Sequence, residues 1–351
     1  MASAPARFGV PRAIAGRVAV ATATLFALMA GHALLETARD ALFLAALPAE
    51  RLPWVYLAIA ALAVVVARLN RAVTARFSRR ATLAVTLTGA GALTAGFWLW
   101  TGSGPASLYG LYVWTGLVAT VAVVQLWLLC GEGIHADQAK RAFAVIGAGG
   151  LIGATAGSVA AGALLEAIEP RDLILVGAAV LMAAGALPAL AWPGPVHRAP
   201  RRRRRSGAAA PPDSLLRHPY LRRLLLLVLL SQLAVTTADL LFKAVVAASI
   251  APEDLGSFFA FFYAALNALS LVVQLAVASW VLRRLGVSRT LWVLPVLLGV
   301  GALGFAFTAA LLPVLLIKVF DGSLRHSLHK TGLELLYLPL PARLRDKYKV
   351  T

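Results

Sequence analysis

Apolar runs of about twenty residues or more recur along the whole chain, and short connections between them carry most of the charge. Such runs need lipid or a very large core to cover them. Only 14% of the 351 residues are charged, against about 25% in soluble domains, so there is too little polar surface to clothe a soluble globule. The expected class is an all-α polytopic membrane protein. The first run follows a basic segment, as in a signal peptide, but it is too long and carries Glu36, Arg39 and Asp40 near its far end. It reads as a retained first helix.

Ten helices are expected, at 17–47, 52–74, 80–101, 106–132, 140–166, 171–193, 219–249, 255–283, 288–311 and 313–338. The connections test this count. Arginines and lysines fill alternate ones: Arg7, Arg12 and Arg17; Arg71, Arg76, Arg79 and Arg80; Lys140 and Arg141; the run Arg198–Arg205; Arg283, Arg284 and Arg289; and Arg343 to Lys349. The opposite connections hold only Arg51 and Arg171 as basic residues. Ten crossings with both termini in the cytoplasm satisfy the positive-inside rule throughout. The expected location is a cell membrane, the inner membrane of a bacterium.

The net charge of +18 therefore reflects topology and anionic headgroups rather than nucleic acid. The Pro- and Arg-rich linker 194–218 separates a six-helix unit, 17–193, from a four-helix unit, 219–338, with cytoplasmic ends at 1–16 and 339–351. Its arginines are candidate contacts for anionic lipids. The two units begin alike: helix 1 has T-A-R-D-A-L-F at 37–43 and helix 7 has T-A-D-L-L-F-K at 237–243. Two like halves in parallel orientation are the plan of the major facilitator fold, here with about ten helices.

Ionisable residues inside the apolar runs are the candidate solute pathway, because charge in a bilayer is costly unless it faces protein or water. Glu36, Arg39 and Asp40 share one face of helix 1, and Asp239 and Lys243 stand four apart on helix 7. Lys318, Asp321, Arg325 and His329 run down helix 10 at steps of three, four and four, beside His326, Lys330 and Glu334. Glu132, Asp137, Lys140, Arg141 and Glu334 are candidates for a gate at the cytoplasmic mouth. Gly149, Gly153 and Gly157 recur every four residues on helix 5 and read as a packing ridge. The glycines are not a nucleotide loop, since no Gly-Lys-Ser/Thr ending follows. No zinc-binding or nucleophile–base constellation is present in the sequence, so neither an enzyme nor a cofactor nor a metal is expected.

Three stretches resemble the nucleotide-transporter family, the ATP:ADP antiporters of plastids and intracellular bacteria, which belong with the major facilitator fold. E-T-A-R-D-A-L-F-L-A-A-L-P-A-E-R-L-P-W-V-Y at 36–56 is similar to the family's Lys-Asp segment of helix 1, with Arg39 in place of the Lys and Asp40 matching the Asp. D-Q-A-K-R-A-F-A-V-I-G-A-G-G-L-I-G at 137–153 is similar to its Ala-Lys-Arg-Phe and glycine-rich start of helix 5, with Ala142 interrupting the match. The stretch 327–349 is similar to its region after helix 10 through Glu334, Tyr337, Pro339 and Leu340. The resemblance implies twelve helices, and the sequence stops where helices 11 and 12 would begin, so a bundle lacking that pair is the expectation.

The function expected is secondary-active transport by alternating access, of a nucleotide or another anionic metabolite. Arg39 and Lys243 would attract the solute, and Lys318, Arg325 and Asp321 would bind it or hold a gate. Tyr112, Trp114 and Phe242 are candidate pathway aromatics. One alternative is a proton-coupled carrier or exporter using Glu36, Asp40 or His329. Another, of a different class, is a non-transporting scaffold or sensor.

Overall fold

Among the described residues ten α-helices follow one another: α1 (Arg12–Ala46), α2 (Leu52–Arg76), α3 (Arg79–Trp100), α4 (Pro105–Gly133), α5 (Ala136–Leu164), α6 (Leu173–Ala191), α7 (Pro219–Ser249), α8 (Leu255–Val272), α9 (Ala278–Thr308) and α10 (Leu311–Leu324). This computed structural model describes residues 12–102, 104–134, 136–193, 219–308 and 310–324. Helices α1 to α8 are long and apolar enough to cross a bilayer, and α9 adds a shorter apolar stretch, Trp292–Thr308. The protein is a multi-pass integral membrane protein. The linker 194–218 lies outside the described residues, as do Arg325, His326, His329, Lys330 and Glu334.

Small residues let α1 become the hub of the first six helices. Gly149, Gly153 and Gly157 on α5 meet Thr22, Phe26 and Ala30 on α1 in matching steps of four. A methyl group at Gly153 would lie 2.2 Å from the Phe26 carbonyl oxygen, and one at Gly157 would lie 2.4 Å from that of Ala30. The ridge is therefore a backbone-to-backbone contact, and only glycine fits it. The residue numbers rise together, so α1 and α5 run parallel. On the other side Gly91 of α3 meets Ala178 and Met182 of α6, while Gly185 of α6 meets Ala84 and Thr88 of α3. There the numbers run in opposite senses, and the pair is antiparallel.

Arginines at the connections also close helix ends. Arg80 donates from Nε to the carbonyl of Pro188 at 2.8 Å and from Nη2 to that of Ala189. Both carbonyls lie in the last turn of α6, where no backbone N–H remains to meet them. Arg79 reaches the Leu128 carbonyl near the end of α4 at 2.7 Å. Arg171, one of the two basic residues on the opposite connections, grips the Trp98 carbonyl at the end of α3 and stacks on the Trp98 ring, 4.7 Å from its centroid. Its capping role explains its presence there. Arg80→Ala should lower the thermal stability of detergent-solubilised protein by about 1–2 kcal/mol. Arg80→Lys should recover only part of the loss, because one ammonium does not span two carbonyls.

The connection between α8 and α9 differs from expectation. The arginines at 283–289 predict a loop, but the backbone stays helical there and passes through a π-helical turn at Val273–Val277. V-L-R-R-L-G-V-S-R-T contains no proline to break it. The chain nonetheless doubles back. A straight helix through α8 and α9 would measure about 80 Å, yet α10, with 14 described residues, touches both. Gly322 meets Leu266 of α8, and Ile317 meets Gly301 of α9.

Candidate functional site

Six ionised side chains form one chain of alternating sign where α1, α7 and α10 meet. Arg39 binds Glu36 through Nη2 at 3.2 Å and Asp40 through Nε at 3.1 Å. Lys243 bridges Asp40 at 3.3 Å and Asp239 at 3.0 Å. Lys318 completes the series on the other oxygen of Asp239. Three carboxylates thus balance three cations. Asp40 is fully buried, and Arg39, Lys243 and Lys318 are nearly so. Charges cost several kcal/mol each to bury, so the alternation is what makes their presence tolerable.

Tyrosines tie this series across the bundle. Tyr263 on α8 donates to Asp40 at 2.7 Å, and Tyr56 on α2 donates to Asp239 at 2.6 Å. The first half's aspartate is thus held by the second half's tyrosine, and the reverse. The two pairs, α1 with α8 and α7 with α2, exchange under the same half-to-half relation that matches 37–43 to 237–243. Tyr112 on α4 accepts a hydrogen bond from Lys243 at 2.5 Å, and its ring lies 4.4 Å from the Arg39 guanidinium carbon. Arg39 also donates to Thr115 at 3.4 Å.

Aromatic rings wall the network. Phe43 and Phe242, equivalent in the repeat, are both fully buried. Phe43 meets Tyr109 and Tyr112 edge-on, and Phe242 packs against Phe259 and Phe262. These rings place apolar surface beside the buried Asp40 and Lys243, which strengthens the attraction between them.

The expected pathway residues divide accordingly. Glu36, Arg39, Asp40, Asp239, Lys243 and Lys318 come together. Asp321 is fully buried one turn beyond Lys318 on α10. Arg325 and His329 lie outside the described residues. Of the expected gate residues, Glu132 is held by Arg79 at 2.8 Å, within the first six helices rather than between halves. Arg141 is exposed on α5. Asp137 and Lys140 sit in the first turns of α5, with their side chains outside the description, and Glu334 lies beyond the described residues. Trp114 donates to Thr94 at 2.9 Å, away from the ion pairs.

Tyr56, Thr115 and Tyr263 were not singled out from the sequence. A hydroxyl-bearing ring inside F-F-A-F-F-Y-A-A-L is the signal that Tyr263 offers, since a buried phenol seeks a partner.

Among the described residues, side-chain bonds crossing between the halves include Asp40 with Lys243 and Tyr263, Tyr56 with Asp239, Tyr112 with Lys243, and Ser158 with Asn267 at 3.4 Å. They gather toward the end of the bundle that carries the α1–α2 and α7–α8 turns. Asp40 is about 9 Å from the end of α1 by helical rise. Toward the arginine-rich end, α1 exposes Ala15, Ala19, Ala23 and Phe26, and α7 exposes much of Arg222–Ala234.

A family model described as Major Facilitator Superfamily matches residues 134–324, from the end of α4 through α10. The chain belongs to the Major Facilitator Superfamily. The match takes in α7, α8 and α10, which carry Asp239, Lys243, Tyr263 and Lys318, while Glu36, Arg39, Asp40, Tyr56 and Tyr112 lie before it. As a facilitator, the protein belongs to a non-catalytic family whose fold performs secondary-active transport. No curated protein matches the chain.

Proposed function

We propose that this facilitator carries a small anionic solute by alternating access, and that the six-charge network is both its gate and its binding site. The observation that carries this reading is the place of Lys243. It is buried between carboxylates of the two halves, Asp40 at 3.3 Å and Asp239 at 3.0 Å. An entering anion offers Lys243, Arg39 and Lys318 the same charge that those carboxylates offer. It can take over their cations without leaving any unpaired, and so release the halves. A solute with no negative charge would leave the lysine bare in a low dielectric, at a cost of several kcal/mol.

A cleft of about 390 Å³ lies beside this gate, lined by Leu44–Glu50, Ala244, Ala247 and Ala248. Ala244 follows Lys243 directly. Arginine on the opposite end of the bundle supports a cytoplasmic orientation for that end. The conformation described is then closed on the outer side. The resemblance at 36–56 and 137–153 supports a nucleotide as the solute, with Tyr112 able to meet a base.

Purified protein in vesicles, offered ATP, ADP, orthophosphate or a dicarboxylate, tests this reading. At least one of these anions should enter, faster when the same anion is trapped inside. Arg39→Gln and Lys318→Gln should each reduce that flux at least about tenfold, equivalent to about 1.4 kcal/mol. Flux unchanged in both variants would reject the network as the pathway.

A further inference from the structure

The six-charge network is balanced as a whole but not within either half. Glu36, Arg39 and Asp40 on α1 carry two negative charges and one positive. Asp239, Lys243 and Lys318 on α7 and α10 carry one negative and two positive. The bond from Lys243 to Asp40 at 3.3 Å therefore joins a side with one negative charge in excess to a side with one positive charge in excess. Asp321 stands one turn beyond Lys318 and outside this series. When the gate opens, an anion on Lys243 satisfies the second half alone. Asp40, fully buried, is left to share Arg39 with Glu36, and an unbalanced charge is costly there. A plain anion would also stand beside a carboxylate of its own sign.

The first half keeps a place for a cation. Lys243 Nζ reaches Asp40 Oδ2, and it lies 2.5 Å from the Tyr112 hydroxyl and 5.2 Å from the centroid of that ring. Asp40 and Tyr112 belong to α1 and α4, so both stay when Lys243 withdraws. A cationic nitrogen in its stead meets a carboxylate and an aromatic ring, and both attract it. The second half keeps a place for an anion, because Lys243 and Lys318 share the single carboxylate of Asp239. The two places adjoin, since the one ammonium of Lys243 touches both aspartates.

We infer that the solute carries a cationic nitrogen besides its anionic group, and that it inserts between Asp40 and Lys243. The nitrogen turns toward Asp40 and Tyr112, and the anionic group toward Lys243 and Lys318. The signs then alternate without a break, from Glu36, Arg39 and Asp40 through the solute to Lys243, Asp239 and Lys318. The chemical class is an amine-bearing acid, whether its anionic group is a carboxylate or a phosphate. The inference rests on the proposed carrier and names the class of solute that its site takes.

The test uses the full chain in phosphatidylcholine vesicles at about pH 7, where an aliphatic amine is protonated. It compares solutes that differ by one ammonium: glutamate with glutarate, β-alanine with propionate, and phosphoethanolamine with ethyl phosphate. In at least one pair the amine-bearing member should enter at least about tenfold faster than its twin, because the twin leaves a buried charge unpaired. Glu36→Gln removes the first half's excess charge, so it should bring that ratio down toward one by raising entry of the twin. Glu36 lies at the end of the series with its side chain 30% exposed, so this substitution makes a small demand on folding. Asp40→Asn should lower the ratio as well. Equal entry of both members of every pair would overturn the inference and leave anion transport standing, as would entry of ATP, ADP or orthophosphate with no member of any pair. A preference for the amine that both substitutions leave unchanged would overturn the place assigned to the nitrogen. Failure of every one of these anions to enter would overturn the carrier reading itself.

Discussion

Lys243→Gln is expected to abolish transport and to destabilise the protein by about 3–5 kcal/mol, the usual cost of removing one partner from a buried ion pair. The lysine is 2% exposed and serves Asp40, Asp239 and Tyr112 at once. Its loss leaves Asp239 with Lys318 but leaves Glu36 and Asp40 to share Arg39, one negative charge in excess, and cuts the salt bridge between the halves. Adding Asp40→Asn should recover part of the stability, because the second substitution removes a charge that the first left in excess. A recovery of about 0.5–3 kcal/mol in the double variant is the coupling expected between contacting groups. Transport should not return, since the link remains broken. Thermal unfolding in detergent and vesicle flux measure the two effects separately. A stable and active Lys243→Gln protein would mean that the pair neither holds nor gates the bundle.

The other large effect is expected at Gly153. Gly153→Leu must displace α1, because the first added carbon already lies 2.2 Å from the Phe26 carbonyl oxygen and 2.7 Å from its Cα. Overpacking of a tight core commonly costs about 1–3 kcal/mol. Here the obstacle is backbone rather than a side chain that can turn, so the upper end applies, and little folded protein should survive solubilisation. Gly147→Leu is the matched control on the same helix, where an added carbon meets nothing within 4 Å. Size-exclusion profiles of the two variants should differ sharply. Equal profiles would show that the α1–α5 crossing yields more easily than its geometry implies.

Much of the architecture was legible in the sequence because a bilayer allows few alternatives. Apolar length and arginine placement located ten helices, and the structure moves most of their ends by only a few residues. The exception, between α8 and α9, shows the limit of charge as a guide. Arginine indicates where a chain meets headgroups and water, but it is also a good helix former. Arg283 and Arg284 therefore marked an expected connection, while the backbone there stays helical. The glycines of α5 were legible for a related reason, since their spacing of four matches one helix face.

The site was legible only in part. Every ionised member of the network stood out as charge in an apolar run. Their pairing did not. Asp239 and Lys243, four residues apart, do touch, but each also bonds beyond its own helix. Tyr56 and Tyr263 were hidden because a tyrosine in an apolar run looks like core until the folded chain brings its hydroxyl to a carboxylate. Glu132 shows the converse: a charge at the expected mouth is taken up by Arg79, a residue read only for topology.

The reciprocal hold of each aspartate by the other half's tyrosine has a kinetic consequence. The two hydroxyl bonds sit on opposite sides of Lys243 and resist the same rigid motion, so neither can be released while the other stays fully made. On the proposed gate, the closed state should give way in a single step, with no long-lived ajar form through which water or ions could leak between turnovers.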